Sequence, residues 1–66
     1  MKIKINGADT DVAEGTTLEG LLDSLGIQRA GIAVELNREV VPKRALCATH
    51  VKDGDAIEII RMVGGG

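Results

Sequence analysis

The sequence predicts an α+β domain in which one amphipathic helix covers one face of a mixed β-sheet. Three observations predict it: "MKIKIN" alternates apolar and polar residues, one leucine stripe has helical spacing, and "AIEIIRMV" is an apolar run near the end. Strict alternation is typical of a half-buried strand, and apolar residues at i, i+3, i+4 and i+7 are typical of a helix with one buried face. With 66 residues the chain is long enough for one small domain.

The first two strands are predicted to form a hairpin. Ile3 and Ile5 share the face of "MKIKIN" that we expect to be buried. Asn6-Gly7 follows, a dipeptide that favours a type I′ turn because both central residues need positive φ. The next stretch, "ADTDVA", is a more polar strand, which we expect at an edge of the sheet, where its aspartates discourage pairing with other sheets.

The helix is predicted in "TTLEGLLDSLGI". Thr16 and Glu19 match the spacing of a capping box, in which each side chain accepts a backbone N–H at the helix start. Gly26 stands where a helix-ending residue takes the left-handed conformation, and Ile27 follows it as in a Schellman ending. The apolar stripe consists of Leu18, Leu21, Leu22 and Leu25.

The second half of the chain predicts three more strands. "GIAVELNREVV" reads as two strands around a turn at Asn37-Arg38, with Ile32, Val34 and Leu36 facing inward. Pro42 cannot donate to a strand ladder and is expected to end the fourth strand. "KRALCATHVKDGD" is irregular, with room for one short helical turn, and closes on the turn signal Asp53-Gly54. "AIEIIRMV" is the last strand and runs into three glycines.

The order β-β-α-β-β-β is the β-grasp (ubiquitin-like) arrangement, in which the first and last strands lie side by side and parallel. The helix supplies the crossover that such a parallel pair needs. We therefore predict a β-grasp domain over residues 1–63 and a flexible glycine tail over residues 64–66. The sheet residues expected to pack against the leucines are Ile3, Ile5, Val34, Leu36, Ile57 and Ile59.

The composition of the chain disfavours several classes of function. The chain has no Phe, Tyr or Trp, so an aliphatic core is expected to leave little room for a private substrate cavity, which disfavours a self-contained enzyme. The net charge is −2 with the signs interspersed, which disfavours nucleic-acid binding. No apolar run is long enough to span a membrane, and the start of the chain lacks a signal-peptide pattern. A single Cys47 indicates a reduced, cytoplasmic setting.

The candidate chemical motifs are weak. Cys47 and His50 are close in sequence, but a nucleophilic pair also needs an orienting third group, and a lone cysteine is more typical of a small buried filler. One Cys and one His are too few for a zinc site. Asp53-Gly54-Asp55 indicates a turn rather than a calcium loop. No phosphate-binding pattern is present, so no bound cofactor is expected and any ATP chemistry belongs to a partner.

The last strand carries a candidate docking surface. If Ile57 and Ile59 face the helix, alternation places Ile60 and Met62 on the open face of the sheet, where an apolar patch is a candidate for partner docking. The alternative is a bulge after Ile59 that turns Ile60 into the core.

The start "KIKING" and the ending "DGDAIEIIRMVGGG", in a β-grasp chain of this length, resemble the ThiS family of thiamine-biosynthesis sulfur carriers, within the ubiquitin-like ThiS/MoaD group. The resemblance covers the whole chain. It implies that a ThiF-type enzyme adenylates the carboxylate of Gly66 with ATP, that a cysteine-derived persulfide converts the adenylate to a thiocarboxylate, and that the sulfur passes to a ThiG-type thiazole synthase.

To reach the α-phosphate in a partner, Gly64 and Gly65 are expected to enter a narrow channel, where a Cβ would crowd the approach and glycine accepts backbone conformations closed to other residues. Three alternatives share such an ending: a MoaD-like sulfur carrier for molybdopterin synthesis, a ubiquitin-like protein modifier whose activated glycine forms an isopeptide bond, and an interaction module whose glycines do nothing.

Overall fold

The computed structural model describes residues 1–62, and in this part of the chain five strands form one mixed sheet with a helix on one face. The elements are β1 (Lys2–Ile5), β2 (Ala8–Asp11), α1 (Leu18–Ser24), β3 (Ile32–Leu36), β4 (Glu39–Val41), a 3₁₀ turn (Lys43–Ala45) and β5 (Ala56–Arg61). The predicted boundary between a domain ending at 63 and a tail of 64–66 lies outside the described residues.

The strand order is β2-β1-β5-β3-β4, with β5 in the centre. β1 and β5 are parallel, whereas β1–β2, β3–β4 and β3–β5 are antiparallel. The crossover through α1 allows the parallel pair, because parallel neighbours cannot be joined by a tight turn. The predicted β-grasp arrangement is confirmed, including the edge position of β2.

Both predicted hairpin turns are present. Asn6 and Gly7 have φ values of 50° and 84°, and Asn37 and Arg38 have φ values of 51° and 74°. Positive φ at both central residues is the signature of the type I′ turn, whose twist matches that of the flanking strands. Arg38 is the unusual member, because glycine is the favoured residue in its position and a Cβ there is strained.

The asparagines of the two turns also hold the central strand. Asn6 Oδ1 accepts a hydrogen bond from the backbone N–H of Ile59 at 2.8 Å. Asn37 Oδ1 accepts one from the N–H of Ala56 at 2.9 Å. Each asparagine side chain therefore accepts a hydrogen bond from a backbone N–H of β5, one on each edge of that strand. The residues that form the two turns thus also help to position β5.

Replacing Arg38 with Gly is expected to stabilise the domain by about 0.5–1 kcal/mol, because relief of left-handed strain exceeds the added freedom of the unfolded chain. Urea unfolding followed by circular dichroism measures the change in free energy. Arg38→Ala is the matched control, since it removes the same side chain but keeps a Cβ at φ 74°. Equal stability of the two variants would show that the turn is not strained.

The helix start differs from the prediction, and the Thr16–Glu19 capping box is wrong. The N-cap is Thr17, whose backbone is extended and whose Oγ1 accepts from the N–H of Gly20 at 3.0 Å. Thr16 is used elsewhere: its hydroxyl donates to the Ala13 carbonyl at 2.6 Å. Two adjacent threonines both fit a cap by sequence, and the loop before the helix decides between them.

Gly20 lies next to this cap. A Cβ at position 20 would lie 3.3 Å from Thr17 Oγ1, which is tighter than an ordinary van der Waals contact. A side chain here would require only a small shift of Thr17 Oγ1, so the structure does not explain the glycine, which is disfavoured in helices by roughly 1 kcal/mol.

The helix end agrees with the prediction. Gly26 has φ 71°, and its N–H donates to the Asp23 carbonyl at 3.1 Å. The N–H of Ile27 donates to the Leu22 carbonyl at 2.9 Å. These two bonds are those of a Schellman motif, which stops the helix and turns the chain towards β3.

The core lies between α1 and the sheet and extends beyond the predicted set. Leu25 is 44% exposed, so its place in the buried stripe was wrongly predicted; the helix ends at Ser24, before this residue completes the stripe. Leu46 and Val51, from the irregular segment before β5, are 1% and 3% exposed. The buried apolar residues are Ile3, Leu18, Leu21, Leu22, Ile32, Val34, Leu46, Val51 and Ile57, with Ile5, Leu36 and Ile59 partly buried beside them.

The irregular segment is held against the helix start. The N–H of Leu18 donates to the Thr49 carbonyl at 2.9 Å, and the N–H of Glu19 donates to the Leu46 carbonyl at 3.1 Å. N–H groups at a helix start have no acceptor within the helix, so here they donate to carbonyls of this segment, which caps the helix with its backbone. Leu46 is thereby brought into the core without any periodic pattern around it.

Candidate functional site

The end of β5 carries the candidate docking residues. Ile57 is 1% exposed and Ile59 is partly buried, whereas Ile60 is 42% exposed. The pairing of β5 with β3 runs without a bulge from Leu36↔Ile57 to Ile32↔Arg61. The predicted placement of Ile60 on the open face is confirmed, and the alternative bulge is wrong.

Met62 follows directly after β5. Its side chain is 58% exposed, and its backbone N–H donates to the Gly31 carbonyl at 2.8 Å. The chain is therefore anchored up to Met62. The remaining predicted site residues, Gly64, Gly65 and Gly66, lie outside the described part of the chain.

Two further apolar residues lie on the same open face as Ile60. Ala33 is its direct partner on β3, and Val40 on the edge strand β4 is 66% exposed. Val40 pairs with Glu35. Both lie on the open face, because Val34, the residue before Glu35 on β3, is buried and successive residues of a strand point to opposite faces. We call Ala33, Val40 and Ile60 the open-face patch. Sequence reasoning missed Val40, although the Asn37-Arg38 turn fixes the register that places it there.

A pair of like charges interrupts this face. Glu35 on β3 and Glu58 on β5 are direct cross-strand partners. Like charges in this relation are mildly destabilising. The open-face patch therefore has an acidic neighbour at the centre of the sheet.

At the other side of the sheet the open face carries an ion pair. Lys4 Nζ of β1 lies 3.0 Å from Asp9 Oδ1 of β2. The hydrogen bond from Lys4 holds the pKa of the Asp9 carboxyl below its ordinary value. Both side chains are more than half exposed, so this pair adds little to stability.

Arg61 points to the other face of the sheet. It is exposed and is the cross-strand partner of the buried Ile32. With Gln28 and the helix-ending Gly26, it lines a cavity of about 280 Å³ beside the end of β5. A larger cavity of about 500 Å³ lies between the end of β2 and α1. Its lining includes the hydroxyl residues Thr16, Thr17 and Ser24.

The structure does not place Cys47 as predicted. It is a free, exposed cysteine, so its interpretation as a buried filler is wrong: the 3₁₀ turn directs Leu46 into the core and Cys47 away from it. His50 is exposed and forms an isolated antiparallel bridge with Thr17. Within residues 1–62, no group of three or more His, Cys, Asp or Glu is arranged to hold a metal ion.

The Asp53-Gly54 signal is a turn, as predicted. Gly54 has φ 88°, and Asp53 Oδ1 accepts from the N–H of Lys2 at 2.8 Å. The buried Asp55 accepts from the N–H of Lys52 at 2.7 Å and from Asn37 Nδ2 at 3.1 Å. Both carboxylates are used to position the start of β5.

Among residues 1–62, no helix has the length and apolar character that crossing a membrane requires.

The fold and the exposed end of its central strand define a small β-grasp protein of the ubiquitin-like kind. The chain belongs to the ThiS family, whose family model matches residues 3–66. The crystal structure of the thiamine biosynthesis protein ThiS from Geobacter metallireducens superposes with a TM-score of 0.88 at 42% identity, with 100% of both chains covered. The similarity thus includes the sheet order and the helix packing.

Two relatives of different length contain a segment similar to this chain. The sulfur carrier protein ThiS of Escherichia coli is 33% identical over 66 residues, covering 100% of both chains. The thiazole synthase of Paramagnetospirillum magneticum is 42% identical over 66 residues, which are 100% of this chain and 20% of that protein. The chain therefore spans about a fifth of the length of that relative.

Proposed function

We propose that this protein is a sulfur carrier for synthesis of the thiazole ring of thiamine. The observation that supports it best is the family match, which continues to Gly66 and includes the glycine ending. A relative named as a sulfur carrier matches over its full length. In this proposal the protein is a co-substrate that partner enzymes modify, and it is not itself a catalyst.

The proposed reaction starts at the carboxylate of Gly66. One of its oxygens attacks the α-phosphorus of ATP in a ThiF-type enzyme, pyrophosphate leaves, and an acyl adenylate forms. The sulfur of a cysteine-derived persulfide then attacks the carbonyl carbon and AMP leaves. A thiol cleaves the sulfur–sulfur bond of the product, which leaves a thiocarboxylate on Gly66.

Glycine suits both the reaction and the route to it. A free carboxylate is a poor electrophile, so it must be activated inside a closed site of the partner. Gly64 and Gly65 can enter a narrow channel because they have no Cβ and accept backbone conformations closed to other residues. The same property lets one tail serve first an activating enzyme and then a sulfur acceptor.

The tail alone gives little affinity, since ordering each residue costs about 1–2 kcal/mol. The folded surface next to it must therefore provide most of the binding. Ile60 and Met62 are exposed and lie just before the tail in sequence, and Ala33 on β3 and Val40 on β4 lie on the same open face as Ile60. We propose that this surface docks on the activating enzyme.

Replacing both Ile60 and Met62 with Asp is expected to weaken binding to the activating enzyme by about tenfold or more, because charged groups replace apolar area that the interface covers. Isothermal titration measures the affinity, and circular dichroism checks that the fold is kept. Leu25→Asp is the matched control, since Leu25 is 44% exposed but belongs to the helix. Equal loss in both variants would contradict docking through the sheet.

The sulfur acceptor in this proposal is a ThiG-type thiazole synthase. Support comes from relatives of Paramagnetospirillum magneticum and Magnetococcus marinus that are named thiazole synthase and contain a segment matching the whole of this chain. A carrier sequence within a protein of that name fits direct delivery of sulfur from Gly66 to the synthase.

Intact-mass spectrometry tests the proposed function. The protein is incubated with the activating enzyme, ATP and a sulfur source, and a mass increase equal to replacement of one oxygen by sulfur is expected. Conjugation to a lysine would instead indicate a protein modifier, and an unchanged mass would indicate an interaction module. Omission of the activating enzyme is the control, and no change is expected without it.

A further inference from the structure

The central strand is paired unequally on its two edges. Its ladder with β1 consists of Lys4↔Ala56 and Ile5↔Ile57, because β1 ends at Ile5 and the chain turns away. Its ladder with β3 continues to Arg61. The end of β5 is therefore covered on the β3 edge and has no neighbouring strand on the other edge within residues 1–62.

Strand alternation identifies which backbone groups lie on this uncovered edge. On the β1 side, the Ile57 carbonyl accepts from the N–H of Asn6 at 2.8 Å, and the N–H of Ile59 donates to Asn6 Oδ1. The N–H of Met62 points the other way, to Gly31 on the β3 side. Alternate residues of a strand direct their N–H and C=O to opposite edges. The Ile59 carbonyl and the N–H of Arg61 therefore point to the uncovered edge, where residues 1–62 provide neither with a hydrogen-bond partner.

Asn6 marks where the internal pairing stops. Its side-chain oxygen takes the place of a strand carbonyl for Ile59, one step beyond the end of β1. Beyond this point β5 presents the Ile59 carbonyl as an acceptor and the Arg61 N–H as a donor. An extended backbone segment lying beside β5 can bond to both groups. Uncovered strand edges of this kind are templates for pairing with another chain.

We propose that this edge, made of the backbone of Ile59 and Arg61, binds an extended segment of the activating enzyme as an added β-strand. The inference rests on the proposed function, because it assigns the edge to the enzyme that receives the tail. Position supports the assignment: Arg61 lies five residues before Gly66, so a strand paired here fixes the direction in which the tail leaves the domain.

A second copy of the chain is a less suitable occupant of the same edge. Antiparallel pairing that joins the N–H of Arg61 to the Ile59 carbonyl of the other copy places Arg61 opposite Ile59, and symmetry gives only two such hydrogen bonds. Two hydrogen bonds are few for a stable dimer, whereas a segment of the enzyme that receives the tail is held by the tail as well.

The test compares Arg61→Pro with Arg61→Ala. Proline removes the N–H of residue 61, which no contact within residues 1–62 uses, and proline is tolerated in strands where its missing N–H faces an open edge. Alanine removes the same side chain and keeps the N–H, so the difference between the variants isolates the backbone donor. We expect Arg61→Pro to bind the activating enzyme at least about tenfold more weakly than Arg61→Ala, which corresponds to about 1.4 kcal/mol. Equal affinities of two folded variants would overturn the proposal.

Hydrogen exchange on the wild-type protein tests whether the edge pairs with the activating enzyme, even if Arg61→Pro does not fold. In the free protein, the amide of Arg61 should exchange much faster than that of Met62, which is bonded to Gly31. Addition of the activating enzyme should protect Arg61, and an unchanged exchange rate in the complex would overturn the proposal. Thiocarboxylate formation by the wild type is measured in parallel: if it occurs without protection of Arg61, the edge proposal alone fails, and if it does not occur, the proposed function fails.

Discussion

Gly66→Ala and Gly65→Ala are each expected to lower the rate of adenylation by about 100-fold or more, with Gly64→Ala losing about tenfold or less. In the proposed reaction Gly66 carries the reacting carbonyl, so a Cβ added there would lie against the incoming α-phosphate. Gly65 passes the narrowest part of the proposed channel, where alanine adds bulk and restricts φ. Gly64 is closest to the folded domain, where reach matters more than a slim backbone.

ATP–pyrophosphate exchange with the activating enzyme measures these rates, with the three variants compared at equal concentration. Each single alanine adds the same methyl group, so the variants are controls for one another. If Gly64→Ala were the most damaging, the channel would extend further towards the domain than proposed here, and the idea that Gly64 serves for reach would be abandoned.

Leu22→Ala is expected to destabilise the domain by about 2–5 kcal/mol, because it removes most of a side chain from the core and leaves a cavity. Leu22 is a residue of α1, is 1% exposed, and packs in the core between the helix and the sheet. Small domains have stabilities of about 0.05–0.15 kcal/mol per residue, so the loss is a large part of the total.

Leu25→Ala is the matched control for this prediction. The same chemical change at a side chain that is 44% exposed is expected to cost about 0.5 kcal/mol or less. Urea unfolding followed by circular dichroism measures both variants. Equal destabilisation would mean that Leu25 packs in the core, as the sequence periodicity predicted and the structure contradicts.

The elements that local sequence determines were predictable. Asn6 and Gly7 both accept the positive φ that their turn requires. In the Asn37-Arg38 turn only the asparagine accepts it readily, and this residue marks the turn in the sequence. The turns then fix the strand registers, and these place Ile60 on the open face. The Schellman ending at Gly26 was predictable for the same reason, since its pattern is contained in a few consecutive residues.

Features that depend on distant contacts were not predictable. Leu46 is held in the core by a hydrogen bond in which its carbonyl accepts from the N–H of Glu19 at the helix start. No sequence pattern around Leu46 indicates this contact. The choice of Thr17 over Thr16 as the helix cap is a local matter instead: the Thr16 hydroxyl donates to the Ala13 carbonyl, and the sequence fits either threonine. The burial of Leu46 also exposes its neighbour Cys47, since consecutive residues of the short turn point in different directions.

The candidate site was predictable in the same partial way. Alternation along β5 identified Ile60 as exposed, but the uncovered edge at Arg61 depends on where β1 ends relative to β5. That offset is set by the parallel register of two strands far apart in sequence. Hydrophobic patterns determine the face of a strand and carry no information on how far its neighbour extends.

Transfer of sulfur from the isolated protein tests the central claim most directly. The thiocarboxylate is prepared with labelled sulfur, separated from the activating enzyme and ATP, and incubated with a thiazole synthase and its remaining substrates. We expect the label to appear in the thiazole product and the protein to return to the mass of the carboxylate. Label that stays on the protein with the thiazole synthase, but is released in molybdopterin synthesis, would contradict a role as the sulfur carrier for thiazole synthesis.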